Sequence, residues 1–342
     1  MKALVVTEGH QLELREVPPP QPGPYEALVR IKACGICSTT DRELIAGTQP
    51  YHRDYPCILG HEAIGEAVEI GARVRTFKPG DWVTRPVSIW PGARRDGLAS
   101  GWGGFAEYGF VRDQRAMLAD GDPSASGDYT AQRQNLVPRD GLDLGQAVLA
   151  ISLAETASWF WHLPAVAGRS VCVAGTGIAG LSAALWARMA GARRVVVLGR
   201  RQERLDLACE LVADAGVDVK EANAAQAVVE AGGRIELFVE AAGQSELFRL
   251  AAAVLRQGGT FARYAVKPRE GYLLPDGGLP DDLRTMSPPA EEHLAYDWAA
   301  GLLRRNMIPA GKLLTHRWPL DEYAAAFREV AAGRVVKGML TM

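Results

Sequence analysis

A cysteine, a histidine and a glutamate are the first residues whose types and spacing could do chemistry together. Cys37 ends the run CGIC of residues 34–37, and His61 and Glu62 follow in the run GHEAIG of residues 60–65. A thiolate and an imidazole are ligands that zinc prefers, and a zinc site that keeps one coordination position open is catalytic rather than structural. These residues therefore predict a catalytic metal centre, provided that the fold brings the two runs together.

The glycines around His61 add a resemblance to a known family. The pattern G-H-E-x2-G-x5-G-x2-V over residues 60–74 resembles the zinc signature of the medium-chain alcohol and polyol dehydrogenases. The resemblance implies that Cys37 and His61 bind one catalytic zinc ion. It also implies that Glu62 is a ligand in some states and a close neighbour of the metal in others, and that the hydroxyl of Thr39 accepts the substrate's proton.

Two positions depart from the family pattern. The family's third fixed ligand is a Cys or Glu at the start of the helix before the nucleotide-binding strand, and Ala150 and Ile151 stand there in this chain. Neither can bind a metal, so we predict that Glu155 substitutes as a ligand, because residues i and i+4 share a helix face. The family's Cys-x-Ser/Thr-Asp sequence is Cys-Ser-Thr-Thr-Asp over residues 37–41, so either one residue is inserted or the aspartate has become Thr40.

A glycine-rich turn after an apolar run predicts a dinucleotide site. Residues 170–174 have the pattern of a buried strand, and the run GTGIAG that follows fits G-x-G-x-x-G at the start of a helical pattern. In such a turn the glycines permit the tight bend, the approach of a pyrophosphate and the packing of helix on strand, while the helix amides face the phosphates. The predicted cofactor-binding residues of this turn are Gly175, Thr176, Gly177, Ile178, Ala179 and Gly180.

The end of the next strand indicates which dinucleotide is bound. Enzymes that select NAD place Asp or Glu there to bind the ribose 2′-hydroxyl, whereas this chain has Gly199 followed by Arg200 and Arg201. No carboxylate repels a 2′-phosphate at this place, and two arginines can pair with one. We therefore predict that Gly199, Arg200, Arg201 and Arg204 favour NADP. The stretch is similar to that of dual-specificity glucose dehydrogenases, so NAD stays an alternative.

The two halves of the chain have different patterns. Short apolar runs separated by Gly and Pro favour a compact, barrel-like β domain over residues 1–150, and strand–helix alternation after residue 170 favours a doubly wound parallel sheet. With the family resemblance, the expected fold class is α/β, with a GroES-like catalytic domain over residues 1–150 and 288–342. A Rossmann NADP-binding domain is expected over residues 151–287. Residues 85–102 contain no cysteine, so we expect no structural zinc ion.

One polar stretch interrupts the β-rich half. Residues 112–135 are rich in Asp, Gly and Ser, and they lie where the family runs almost directly from one strand pattern to the next. A loop of this length inside a compact domain is either functional or disordered. The sequence leaves open a mobile surface insertion, a lid and an oligomer contact, and it does not decide whether Trp90, Trp102 and Trp159 line a pocket or fill a core.

Composition excludes some partners. A chain of 342 residues is long enough for two domains, and a formal charge of −2 gives no basic footprint for nucleic acid. No apolar run approaches the roughly 20 residues that a membrane span needs, and the chain begins with a strand pattern rather than a signal peptide. We therefore expect a cytoplasmic protein with a small-molecule substrate. The family resemblance adds the expectation of a homo-oligomer, either a dimer or a tetramer.

Together these features predict an NADP-dependent oxidoreductase in which zinc assists hydride transfer. The transfer would run between the nicotinamide and an alcohol, polyol or sugar hydroxyl, or the matching carbonyl. Two alternatives remain: a zinc-free reductase of the quinone or enoyl type, and a non-catalytic nucleotide-binding member of the family. Cys34 and Cys37 could also form a redox pair, although the thioredoxin context of such pairs is missing.

Overall fold

The change of pattern along the chain corresponds to two compact units. The computed structural model describes residues 1–52, 54–265 and 282–342. One unit comprises Met1–Ala154 and His293–Met342, and the other comprises Glu155–Glu292. The domain boundaries expected from the sequence, at residues 150 and 287, stand a few residues before these divisions.

Short strands dominate the first part of the chain. Up to residue 161 the elements are β1 (Lys2–Val6), β2 (Leu12–Glu16), β3 (Glu26–Ile36), α1 (Thr40–Ile45), β4 (Cys57–Ile58), β5 (Glu62–Ile70), β6 (Trp82–Thr84), β7 (Arg94–Arg95), β8 (Leu98–Ser100), β9 (Tyr108–Arg112), α2 (Gln114–Ala119), α3 (Tyr129–Gln132) and α4 (Leu144–Trp161).

Strands and helices then alternate. The elements up to residue 286 are β10 (Ser170–Ala174), α5 (Ile178–Met189), β11 (Arg194–Gly199), α6 (Gln202–Leu211), β12 (Ala215–Asp218), α7 (Ala224–Gly232), β13 (Ile235–Glu240), α8 (Leu247–Val254), β14 (Leu255–Arg263) and β15 (Arg284–Met286). The chain continues with α9 (Glu292–Arg304), α10 (Ala310–Leu313), β16 (Leu314–Pro319), α11 (Tyr323–Ala331) and β17 (Lys337–Thr341). Among the described residues, no helix is both long enough and apolar enough to cross a membrane.

Two sheets form the unit that contains both chain ends. One has the strand order β16-β17-β3-β5-β6, with β9 also paired to β3, and the other has the order β2-β1-β4-β8-β7. The long strand β3 is central in the first of these sheets because it pairs with strands on both sides, and its residues Ala27, Val29 and Ile31 are all buried. The unit is β-rich, as the spacing of Gly and Pro predicts.

The pairing of three strands decides where the candidate metal ligands lie. Strand β5 runs antiparallel to β3 with Glu62 opposite Gly35, and β17 runs antiparallel to β3 with Gly338 opposite Ile36. The end of β3 therefore meets the beginnings of β5 and β17. Residues that are far apart in sequence come together at this one place.

The polar stretch of residues 112–135 is packed against the unit and is mostly helical. It contains α2, a short 3-10 turn at Pro123–Ala125 and α3, and each of these elements buries an alanine. At its start the carboxylate of Asp113, 1% exposed, accepts hydrogen bonds from the backbone N–H groups of Arg75 and Thr76 at 2.6 and 2.8 Å. At its end Asn135 and Thr84 exchange hydrogen bonds. We call residues 112–135 the inserted segment; it is helical and attached at both ends rather than an irregular surface loop.

The second unit is built on one parallel sheet. Its strand order is β12-β11-β10-β13-β14-β15, and all of its pairs are parallel. Numbered by their order in the sequence, the strands lie in the order 3-2-1-4-5-6, which is that of the doubly wound dinucleotide-binding sheet. The numbering changes direction between strands 1 and 4, which are β10 and β13. The sequence also predicts a strand over residues 260–266; β14 ends at Arg263, and Val266 lies outside the described residues.

Candidate functional site

Cys37, His61 and Glu62 converge at the meeting point of β3 and β5. One ligand atom of each, the thiol sulphur, an imidazole nitrogen and a carboxylate oxygen, lies within 4.8 Å of the other two. The His61 ring is only 12% exposed, and its Nε2 atom is 3.9 Å from Glu62 Oε1. The three residues predicted as metal ligands from the two sequence runs therefore form one cluster, which we call the ligand cluster.

Asp41 lies next to two members of the ligand cluster. It is fully buried in the first turn of α1, its Oδ2 atom accepts a hydrogen bond of 2.8 Å from the backbone N–H of Cys37, and its Oδ1 atom is 3.4 Å from His61 Nδ1. The second ring nitrogen of a metal-binding histidine characteristically faces a carboxylate, which orients the ring. Asp41, one position later than the aspartate of the family's Cys-x-Ser/Thr-Asp sequence, therefore lies close to both the cysteine and the histidine.

Lys337 lies on the other side of Glu62. Its ammonium group, 2% exposed, forms a close ion pair with Glu62 Oε2 and donates a hydrogen bond of 3.2 Å to the carbonyl of Ile36. Ser152 Oγ donates a hydrogen bond of 3.1 Å to the same carboxylate oxygen. The close fit requires Gly35, because a Cβ atom there would lie 2.6 Å from Glu62 Oε2 and 3.0 Å from Lys337 Cε.

The charges of the ligand cluster shift two ionisation equilibria in opposite directions. Burial alone would raise the pKa of Glu62, but the charges of Lys337 and His61 outweigh it and lower the pKa to about 2. Burial alone would lower the pKa of His61, but Asp41 and Cys37 outweigh it and raise the pKa to about 10. The anions of the cluster therefore favour a positive charge at its centre, which a proton or a metal ion can supply.

The donor set fits zinc. A cysteine, a histidine and a glutamate are all zinc ligands, and three protein ligands leave a position for substrate or water. Ala150 and Ile151, in the family's third-ligand position, are buried apolar residues of α4 and offer no donor. Glu155 is the first residue of the second unit, and its role as a ligand stays a prediction. Thr39 is exposed just before α1, and its role as proton acceptor also stays a prediction.

A cavity lies beside His61. Its volume is about 20 Å³, and its lining comes from four parts of the chain. The lining residues are His61, Arg85, Pro86, Val87, Trp102, Tyr129, Thr130 and Arg133. The last three belong to the inserted segment, so this segment forms one wall of a cavity at the ligand cluster.

The predicted cofactor turn has the geometry that its glycines suggest. Gly175 follows β10 with φ +128°, a conformation that L side chains rarely adopt. Gly177 precedes α5 with open space where a Cβ atom would be, which leaves room for a phosphate to approach the backbone. A Cβ atom on Gly180 would collide with the carbonyl of Gly175. The turn lies at the β10–β13 reversal of the sheet, where such folds bind dinucleotides.

The four residues predicted to select NADP lie at the end of β11 and the start of α6. Gly199 ends the strand, and a Cβ atom there would lie 2.6 Å from Thr176 Cγ2. Arg200 is exposed and donates a hydrogen bond of 2.7 Å to Gln244 Oε1, and exposed Arg201 precedes the helix. Arg204 is 6% exposed, and burial together with the charge of Arg201 lowers its pKa. Their contact with a 2′-phosphate stays a prediction.

The structure assigns different places to the residues that the sequence left undecided. Trp102 lines the cavity, whereas Trp90 lies under the Arg112 guanidinium at 3.9 Å and Trp159 is buried at 2% exposure. Cys34 is fully buried, and burial raises the pKa of its thiol well above the usual range. Because the thiolate is the reactive form, this environment disfavours a redox pair with Cys37.

Lys337, Ser152, Arg85 and Arg133 are functional candidates that the sequence did not reveal. Only Lys337 carried a usable signal, because it is a lone charge in the otherwise apolar pattern VVKGML of residues 335–340. An isolated charge in a buried strand needs a partner, since an unpaired buried charge is costly. The other three lie in segments with no distinctive pattern.

The sequence matches two family models and many known proteins. The models are described as "Alcohol dehydrogenase GroES-like domain", over residues 23–120, and "Zinc-binding dehydrogenase", over residues 179–276. L-threonine 3-dehydrogenase of Streptomyces coelicolor is 30% identical over 348 residues, which cover 99% of both chains. Sorbitol dehydrogenase of Halalkalibacterium halodurans is 26% identical over 351 residues, which cover 100% of this chain and 99% of the relative.

A solved structure resembles the whole chain. It is that of a zinc-binding dehydrogenase, described as putative, from Sinorhizobium meliloti 1021 bound to NADP. The sequence identity is 26%, the TM-score is 0.80, and the match covers 100% of this chain and 99% of the other. The similarity therefore extends over both units.

Proposed function

Because this chain belongs to the zinc-dependent medium-chain dehydrogenase family, with its GroES-like and Rossmann-type domains, we propose a specific reaction for it. The reaction is an NADP-dependent, zinc-assisted hydride transfer between the nicotinamide and an alcohol, polyol or sugar hydroxyl, or the matching carbonyl. The family makes the chain an oxidoreductase with zinc and a nicotinamide cofactor. The cofactor's 2′-phosphate, the single zinc ion and the substrate are our proposal.

The observation that carries the proposal is the ligand cluster. Cys37 and His61 are 24 residues apart in sequence, yet their donor atoms and a carboxylate oxygen of Glu62 lie within 4.8 Å of one another. A structural role alone would not need a buried carboxylate beside a buried imidazole and a thiol. Asp41 orients the imidazole and Lys337 holds the carboxylate, as expected of a site organised to bind a cation.

When bound, zinc supplies a Lewis acid that polarises the substrate oxygen, and the nicotinamide supplies or accepts the hydride. The chain's own residues hold and orient these partners. The Asp41 carboxylate faces His61 Nδ1 at 3.4 Å, and His61 Nε2 would bind the metal. Lys337 and Ser152 keep the Glu62 carboxylate ionised and in place. Thr39, two residues after Cys37, is the proposed acceptor of the substrate's proton.

Two features support NADP as the cofactor. Arg200 and Arg201 are exposed at the end of β11, where Gly199 supplies no carboxylate. The guanidinium group pairs well with phosphate because its planar N–H groups match the phosphate oxygens. The S. meliloti protein with NADP bound resembles this chain over 99% of its own length, with a TM-score of 0.80. NAD remains the alternative cofactor.

The zinc-free and non-catalytic alternatives predict different results. The test is a substrate panel with the purified full-length protein, measuring NADPH formation, together with elemental analysis of the same sample. We expect NADPH formation with at least one hydroxyl compound, and loss of it in Cys37→Ser and His61→Ala variants that still bind NADP. Turnover that is independent of metal would favour the reductase alternative, and NADP binding without any turnover would favour the non-catalytic one.

A further inference from the structure

The end of β11 is crowded by the cofactor turn. A Cβ atom on Gly199 would lie 2.6 Å from Thr176 Cγ2 and 3.0 Å from Leu205 Cδ2. Both distances are shorter than the roughly 3.5–4.0 Å that separates carbon atoms in contact. The packing therefore favours glycine at the position where a carboxylate would select NAD. The first side chain after the strand is that of Arg200.

A glutamine holds the guanidinium of Arg200. The Nη2 atom of Arg200 donates a hydrogen bond of 2.7 Å to Gln244 Oε1. Arg200 follows β11 and Gln244 follows β13, and β10 lies between these two parallel strands. The hydrogen bond therefore connects the two strand ends that flank β10, where the cofactor turn begins. This is the edge at which doubly wound sheets bind dinucleotides.

A buried carboxylate fixes the loop that carries Gln244. Glu240 ends β13 and is fully buried. Its Oε1 atom accepts hydrogen bonds from the backbone N–H groups of Ala242 at 2.7 Å and Gly243 at 2.6 Å. Hydrogen bonds to an ionised acceptor are about twice as strong as those between neutral groups. The side chain of Gln244 therefore projects from a backbone that is held in place.

The Gln244 amide has one favourable orientation. Its Nε2 group donates to the carbonyl of Ala242 at 3.4 Å, and its Oε1 atom accepts from Arg200. The reverse orientation would set an NH₂ group against a guanidinium, and both groups are only donors. The acceptor of Arg200 is therefore a neutral oxygen. Among the described residues no carboxylate forms an ion pair with Arg200, so its charge is not neutralised by that part of the chain.

We propose that Gln244 is a specificity-determining residue of the cofactor site, because its amide holds the Arg200 guanidinium for the 2′-phosphate of NADP without neutralising its charge. This inference rests on the proposed function and adds a residue to its selection of the cofactor. A guanidinium has five N–H groups, of which the amide oxygen accepts one, and the others suit a phosphate. A side chain that is ordered in advance loses less entropy on binding. A carboxylate in place of the amide would pair with the guanidinium and repel the phosphate.

The first experiment compares two adenosine nucleotides that differ in the 2′-phosphate. Isothermal titration of the full-length protein with adenosine 2′,5′-bisphosphate and with 5′-AMP measures the advantage of that phosphate, and it requires neither zinc nor turnover. Gln244→Glu keeps the size of the side chain and should reduce the advantage at least about tenfold, the lower end for a charge-assisted hydrogen bond, with binding of 5′-AMP unchanged. Gln257→Glu is the matched control, because Gln257 is an exposed glutamine near the beginning of β14, at the opposite edge of the sheet. It should leave the advantage intact.

The second experiment tests whether Gln244 acts through Arg200. Gln244→Ala removes the acceptor without adding a charge, and it should reduce the advantage of the bisphosphate by about 2–10-fold, which corresponds to a neutral hydrogen bond. In an Arg200→Ala background the same substitution should change the advantage by less than about twofold, because the group that Gln244 holds is gone. A residue that only stabilised the loop would instead weaken the binding of both nucleotides in both backgrounds.

An advantage of the 2′-phosphate that is unchanged in Gln244→Glu would overturn the inference and leave NADP as the cofactor. An effect of Gln244→Ala that is the same with and without Arg200 would do so too, and this comparison decides the matter even if Gln244→Glu does not fold. Equal binding of both nucleotides by the wild-type protein would overturn the inference together with the choice of NADP. Failure of hydride transfer is a separate result, because the substrate panel detects it and nucleotide binding does not depend on it.

Discussion

Glu62 and Lys337 form an ion pair with exposures of only 4% and 2%, beside Cys37 and His61. In a protein without bound metal, Lys337 is the main counter-charge of this carboxylate. A bound zinc ion supplies a second one. The stability of the chain should therefore depend on Lys337 more strongly when zinc is absent than when it is present.

Replacing Lys337 tests this dependence. Lys337→Met should lower the free energy of unfolding by about 3–5 kcal/mol in the presence of a chelator, because breaking a buried pair leaves one charge uncompensated. Zinc should restore much of the loss. The measurement is urea unfolding with EDTA and with zinc. The double variant Lys337→Met/Glu62→Gln is the control and should recover most of the stability, since it leaves no unpaired charge. Equal stability of Lys337→Met and wild type in EDTA would contradict the account.

The two arginines at the end of β11 can be tested by single substitutions in the same way. Arg200→Ala and Arg201→Ala should each weaken NADP binding by about 10–150-fold, which corresponds to the loss of about 1.5–3 kcal/mol for a charge-assisted hydrogen bond. NAD binding should change little, because NAD has no 2′-phosphate. Titration of both dinucleotides measures the ratio, and Arg234→Ala, an exposed arginine of the same unit, is the control. An unchanged NADP/NAD ratio in both arginine variants would rule out this assignment.

At the scale of elements, β3 carries the site because its end meets β5 and β17. The cofactor turn could be predicted from the sequence, since its glycines, strand and helix are adjacent in the chain. His61 and Glu62 could be predicted for the same reason. Lys337 carried the signal of a lone charge in an apolar pattern, but its place at the site could not be predicted. It contacts the carbonyl of Ile36 across a separation of 301 residues, and only the register of β17 on β3 brings it there.

The inserted segment shows another limit of prediction. Its polar composition resembles that of a surface loop, and its position beside the ligand cluster depends on hydrogen bonds with Thr84 and Arg75 that no local pattern indicates. Asp113 is the main anchor at its beginning. Burial would raise the pKa of this carboxyl, but the backbone N–H groups of Arg75, Ala116 and Thr76 outweigh it and lower the pKa.

Asp113→Asn should therefore destabilise the protein by about 1.5–3 kcal/mol at neutral pH, the value of hydrogen bonds to a charged group. A carboxyl with a lowered folded-state pKa stabilises above its unfolded pKa, near 3.9, and this stability is lost as pH falls through the folded pKa. The difference between variant and wild type should therefore shrink below about pH 4. Urea unfolding between pH 3 and 7 measures it, with exposed Asp140→Asn as the control. A difference that does not depend on pH would argue against the anchor.

Helix α4 carries the predicted additional ligand. Ala150 and Ile151 leave the family's third-ligand position without a donor, and Glu155 follows one turn later. Glu155→Ala should lower zinc occupancy or turnover at least about tenfold, the lower end for changes in a metal's ligand shell, and should leave NADP binding intact. Glu230→Ala, an exposed glutamate of α7, is the control. Full zinc content together with full turnover in Glu155→Ala would remove this ligand from the site.

At the scale of the whole molecule, both units match the family over their length. The parallel sheet with its 3-2-1-4-5-6 order could be predicted, because strand–helix alternation and the glycine turn admit few other topologies. The strand order of the β-rich unit could not, since its short strands and turns do not specify which strands pair. The cavity beside His61 could not be predicted either, because its lining is assembled from segments around residues 61, 85, 102 and 130.

We propose that Cys37, His61 and a carboxylate hold one catalytic zinc ion. The decisive measurement is elemental analysis of the protein purified without chelator. Cys37→Ser and His61→Ala variants are analysed in parallel, and their folding is checked by thermal melting. We expect one zinc per chain in the wild type, because residues 85–102 contain no cysteine for a second site, and a loss of zinc in both folded variants. Two zinc ions per chain, no zinc in the wild type, or full zinc in the folded variants would contradict it.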